Sequence, residues 1–67
     1  MPDLEKEALG LRIKSGYKLR RGQALMLVLH DLRPDLYHEI TGTKWDCFYK
    51  DSVVDAFFEF LNERGYQ

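Results

Sequence analysis

The chain has 67 residues, 45% hydrophobic and 31% charged, a length that holds one small domain with no second core and an apolar content too high for a disordered chain. The single cysteine, Cys47, excludes an intrachain disulfide framework and favours a reducing compartment; the longest apolar run, Ala24 to Leu29, is far short of a membrane span, and Met1-Pro2-Asp3-Leu4-Glu5 does not read as a signal peptide, so a cytoplasmic protein without a membrane partner is expected. The net charge of −1 conceals a segregation: residues 1–7 are acidic, residues 8–30 carry Arg12, Lys14, Lys18, Arg20 and Arg21 with no acid, and residues 31–67 are acidic again.

In chain order, residues 1–21 form an N-terminal arm with two open readings. Leu11, Ile13, Tyr17 and Leu19 alternate around Lys14-Ser15-Gly16, so a β-hairpin over residues 11–20 with Gly16 in the left-handed region would place all four on one face and the basic side chains on the other. An isolated hairpin is marginal and needs support; a frayed arm or a short helix from Asp3 to Leu9 competes with it.

Residues 22–67 read as a helical domain, giving a mainly α fold of three helices plus the arm. The first helix runs over 22–33 with Leu25, Val28, Leu29 and Leu32 as its core stripe, stopped where Pro34 disfavours helical geometry at Arg33. Leu27 points away from that stripe, with Met26 on its border. The second runs over 34–41 with Pro34 at its first position, Leu36, Tyr37 and Ile40 turned inward, and Gly42 closing it. Trp45, Phe48 and Tyr49 then form an aromatic plug, with a single helical turn after Asp46. The third helix, 52–64, should start with a Ser52/Asp55 capping box and end at Gly65; Val53, Val54, Phe57, Phe58, Phe60 and Leu61 make its apolar arc and Asp55, Glu59, Asn62 and Glu63 its acidic one. The expected core is Leu25, Leu29, Leu32, Leu36, Ile40, Trp45, Phe57 and Leu61.

No catalytic constellation emerges, and no enzyme is expected. His30 and His38 lack metal-site spacing, so no metal or other cofactor is expected, and the acid beside Cys47 disfavours a reactive thiolate. Glu5 with Glu7, and Asp55 with Glu59, fall on polar faces rather than in an apolar pocket that would separate their pKa values. A helix-turn-helix over Gln23 to Thr41 would present Asp35 and Glu39 to phosphate with the wrong sign. Arg20-Arg21-Gly22-Gln23 at a helix start could receive an anion.

The segments Leu19-Arg20-Arg21-Gly22-Gln23-Ala24-Leu25-Met26, Arg33-Pro34-Asp35-Leu36-Tyr37 and Asp46-Cys47-Phe48-Tyr49-Lys50-Asp51-Ser52 resemble short proteins of unassigned function encoded by phages of actinobacteria. Those look like a [KR]-x-G-Q-A-x-M start, a P-D-L-x segment and a D-P-F-Y-x-D-S turn; the resemblance covers residues 19–61 and departs from the pattern at Cys47, where it has proline. It implies a phage origin and action inside a bacterial cell, and carries no site. Two functions remain in view. The first is a non-enzymatic protein-interaction module, with Met26 and Leu27 as the candidate surface for a protein partner or a second copy in a homodimer. The alternative is a nucleic-acid-binding accessory or regulatory protein using Arg12, Lys14, Lys18, Arg20 and Arg21.

Overall fold

The computed structural model describes residues 3–66 and contains, among them, four α-helices and no strand: α1 (Leu4–Lys14), α2 (Arg21–Leu32), α3 (Pro34–Ile40) and α4 (Val54–Glu63), the last entered through a 3-10 turn at Asp51–Val53. The fold is mainly α, as the sequence suggests, with one helix more than expected and no hairpin.

The additional helix is α1, which replaces the hairpin over 11–20 and extends the competing short helix to Lys14. Asp3 caps it, its Oδ1 accepting from Lys6 N at 3.2 Å, and Glu5 and Glu7 at the start with Arg12 and Lys14 at the end complement the helix dipole. Leu4, Ala8 and Leu11, spaced for one helical face, turn towards the core. Gly16 does adopt positive φ (70°), yet its effect is to end a helix: Gly16 N donates to Ile13 O at 3.0 Å and Tyr17 N to Arg12 O at 2.7 Å, the paired bonds of a Schellman cap.

α2 is the central helix, with α1 and α3 packed on it. Ala24, Leu25, Met26, Val28 and Leu29 are all buried, the pattern of a helix covered on most sides. Arg33 is extended (φ −141°, ψ 75°), as its position before Pro34 requires, and links α2 directly to α3, whose Leu36 and Ile40 enter the core. Asp46 then straps the following loop, accepting from Gly42 N at 3.0 Å and Phe48 N at 2.9 Å. Cys47 is fully buried, and Trp45 is half-buried with its ring 4.8 Å from that of Phe60.

The helical turn expected after Asp46 lies instead at Asp51–Val53, and the Ser52/Asp55 capping box does not form: Val53 precedes α4 in helical geometry with no side-chain cap. The turn's backbone leads into α4 and leaves the Asp51 carboxylate for α2. The apolar arc of α4 buries Val54, Phe57, Phe60 and Leu61, while Asp55, Glu59, Asn62 and Glu63 face solvent as expected. Gly65 (φ 77°) closes it, with Gly65 N bonded to Asn62 O at 3.1 Å and Tyr66 N to Leu61 O at 3.0 Å. Of the expected core, Trp45 is only partly buried against the edge of the core and Leu32 stays 37% exposed, lining an open groove with Gly10, Leu11 and Lys14 of α1.

Candidate interaction surface

The five basic residues gather at the end of α1, the connection and the start of α2, but their guanidinium groups already have partners. Arg12 Nε donates to Leu19 O at 3.2 Å, with its guanidinium carbon 5.8 Å from the Tyr17 ring centre. Arg20 clamps the aromatic loop, Nη1 donating to Tyr49 O at 2.8 Å and Nη2 to Phe48 O at 2.9 Å. Arg21 pairs with Glu5 across the α1/α2 contact. Lys14 and Lys18 are exposed.

The start of α2, read from sequence as a receiver for an anion, takes one from its own chain: Gly22 N donates to Asp51 Oδ1 at 3.0 Å. A carboxylate from 29 positions away thus satisfies an open amide at a helix N-terminus, where negative charge is favoured. Gly22 is there because the Cys47 backbone carbonyl occupies the space a Cβ would need, and Cys47 Sγ donates to Gly22 O at 3.4 Å.

The candidate pair Met26 and Leu27 separates. Met26 is 1% exposed, so it is a core residue and offers no surface to a partner; α3 and the aromatic loop cover its side of α2, where it lines a small notch with Tyr37, Phe48 and Tyr49. Leu27 is half-buried.

The apolar surface lies elsewhere. Leu9, Ile13 and Tyr17 are 48%, 54% and 62% exposed. Leu9 and Ile13, four residues apart, are neighbours on α1, opposite the Leu4, Ala8 and Leu11 face; Tyr17 follows at the helix end. Tyr17 also has φ 62°, the one non-glycine residue at positive φ among those described. Beside this stripe an open groove of about 470 Å³ runs between α1 and α2, lined by Ala8, Leu9, Arg12, Arg21 and Leu25 among others. Alternation around Gly16 concealed the stripe. The signal that reveals it is the Asp3 cap followed by Leu4, Ala8 and Leu11 at helical spacing, which turns Leu9 and Ile13 outwards.

Burial pushes the Cys47 thiol up to about 11, an environment opposed to thiolate chemistry. His30 and His38 are exposed, and the turn between α2 and α3 brings their ring centres to 6.4 Å, with Tyr37 edge-on to both. Among the described residues no group of three or more His, Cys, Asp or Glu stands close enough to hold a metal ion. Hydrogen bonds from Arg33 to Asp35 at 3.0 and 2.9 Å hold the Asp35 carboxyl below its ordinary value and leave α3 with an acidic start. Among the described residues, no helix is long and apolar enough to cross a membrane.

No protein-family model, no curated protein and no solved structure matches this chain.

Proposed function

We propose that this protein is a small interaction module that works by binding another protein rather than by catalysis, and that the outer face of α1 is its binding surface. The observation that carries this reading is the exposed stripe Leu9, Ile13 and Tyr17, ending in a bulky residue held at left-handed φ. Glycine or asparagine adopts that conformation at lower cost, and non-glycine residues kept there cluster at ligand clamps and switch regions. The resemblance of residues 19–61 to short actinobacterial phage proteins supports a phage origin and the cytoplasm of a bacterial host as the place of action.

The test compares proteins retained from a bacterial lysate by wild type and Ile13→Asp, with self-association of both measured in parallel and folding checked by circular dichroism. Ile13 is exposed, so the variant should fold and lose what wild type binds, whether host protein or second copy. Identical retention and identical self-association refute the α1 surface.

A second reading, nucleic-acid binding through Arg12, Lys14, Lys18, Arg20 and Arg21, is favoured by the convergence of five cations on one connection. With Arg21 held by Glu5, binding through the other four cations would have a log–log salt slope of about −3 to −4. A mobility shift at low salt that disappears steeply with added salt would establish it; no shift at micromolar protein would remove it.

A further inference from the structure

The notch over Met26 has a volume of about 100 Å³ and shares no lining residue with the grooves beside α1. Three aromatic side chains line it, Tyr37 from α3 and Phe48 and Tyr49 from the loop, with the Met26 thioether from α2. The Phe48 and Tyr49 rings are centred 4.8 Å apart at 64° to each other, so they present surfaces in two directions. Arg20 fixes the loop that carries them through the carbonyls of both residues. Thr41 and Asp46 complete the lining. The Thr41 hydroxyl donates to Tyr37 O at 2.6 Å, and each Asp46 carboxylate oxygen already accepts a backbone amide, from Gly42 on one and Phe48 on the other. Asp46 has no ion-pair partner among the described residues, so a fixed negative charge stands beside the three rings.

We propose that this notch binds a quaternary ammonium group, the trimethylammonium head that choline and trimethylated lysine share. Aromatic rings attract a cation through the negative potential of their faces, and a carboxylate at the same place adds to that attraction. The Asp46 charge disfavours an anion, and a neutral apolar guest would gain nothing from it. A primary ammonium is strongly hydrated and brings three donors, while the Asp46 oxygens are already bonded to amides, so it would give up water for an incomplete return. A trimethylated head has no N–H to satisfy and sets its methyl groups against the rings and the thioether. The volume also fits: it is about three times the ~30 Å³ share of one water in the liquid, room for one compact head group and little more. The site is independent of the α1 surface. With one wall, Tyr49, largely exposed, affinity should be modest, in the millimolar range for the head group alone.

The experiment is a titration of the full chain followed by amide chemical shifts at constant ionic strength, with choline, with its neutral isostere 3,3-dimethylbutan-1-ol, and with a short peptide carrying one trimethylated lysine. Choline should shift the amides of Thr41, Phe48 and Tyr49 saturably, and the neutral isostere should bind at least about tenfold more weakly, since it fills the same space without the charge. Tyr49→Ala should weaken choline about three- to tenfold, the worth of one cation–π contact, whereas Tyr49→Phe, which keeps the ring, should bind like wild type. Tyr49 is 77% exposed, so both variants should keep the wild-type circular dichroism and melting temperature. Equal affinity for choline and the peptide assigns the site to a small molecule; tighter binding of the peptide assigns it to a methylated protein, and either outcome supports the notch. Absence of saturable shifts with both ammonium ligands overturns the proposal. So does a neutral isostere that binds as well as choline, or a folded Tyr49→Ala variant with wild-type affinity.

Discussion

Gly22 shows how one side chain's absence shapes the molecule. It sits in the first turn of α2, where an alanine would serve the helix better by intrinsic propensity, but the Cys47 carbonyl occupies the position of its Cβ and Asp51 bonds its amide. The obstacle is backbone, which cannot swing aside as a long side chain can. Gly22→Ala should therefore force the loop away from α2 and cost about 1 to 3 kcal/mol. Gly10→Ala is the matched opposite: it lies within α1, its Cβ would meet nothing within 4 Å, and the same substitution should gain up to about 1 kcal/mol. In a domain of this size each kcal/mol moves the melting temperature by about 4 to 8 °C, so thermal denaturation reads both signs. A Gly22→Ala variant that melts with wild type would mean the close approach is absent in solution.

At the scale of elements, α1 and α4 end in the same way, with a left-handed glycine and two reversed hydrogen bonds, Gly16 in one case and Gly65 in the other. The difference lies in the next residue. Tyr66 turns inward and is buried, whereas Tyr17 turns outward at a second positive φ. Gly16→Ala should cost about 1 to 2 kcal/mol through the left-handed penalty. Tyr17→Gly should act in the other sense, relieving strain by about 1 kcal/mol net of the greater freedom of glycine in the unfolded chain. The same variant should bind less, since it deletes one third of the exposed stripe. Denaturant titration together with the association assay checks this; a Tyr17→Gly variant that is both less stable and unimpaired in binding would contradict the role given to Tyr17.

For the whole molecule, α1 contributes Leu4 and Ala8 to the same core as α2, α3 and α4, so the N-terminal segment is part of the cooperative unit. Cys47 stands in that core against α2, and its ionisation is linked to global stability. Its thiol is raised from 9.0 to about 11 by burial, with Asp46 and Asp51 adding to the shift. A folded-state value above the unfolded one means that the stabilisation is full below about pH 9 and is lost as pH rises through about 11. The difference corresponds to at most about 3 kcal/mol. Urea midpoints should fall more steeply over that window for wild type than for Cys47→Ala, which lacks the titrating group; parallel curves would place Cys47 in contact with water.

The helices at α2, α3 and α4 were legible because their signals are local: the Pro34 stop, the apolar arc from Val53 to Leu61, and Gly65 as a terminator act on backbone within a few residues. Gly16 was legible as a left-handed residue but not in its consequence. A positive φ suits a hairpin and a helix cap equally, and the choice fell to Leu4, Ala8 and Leu11 finding a face of α2 to cover. Leu25, Leu29, Leu36, Ile40, Phe57 and Leu61 entered the core as their spacing suggests. Met26 and Leu32 exchanged the expected places, since a helix wheel gives direction around an axis and says nothing of which neighbours reach how far along it. The engagement of Arg20, Arg21 and Gly22 with Phe48, Tyr49, Glu5 and Asp51 was invisible for the same reason: those partners lie 16 to 29 positions away, and only folding brings them into contact.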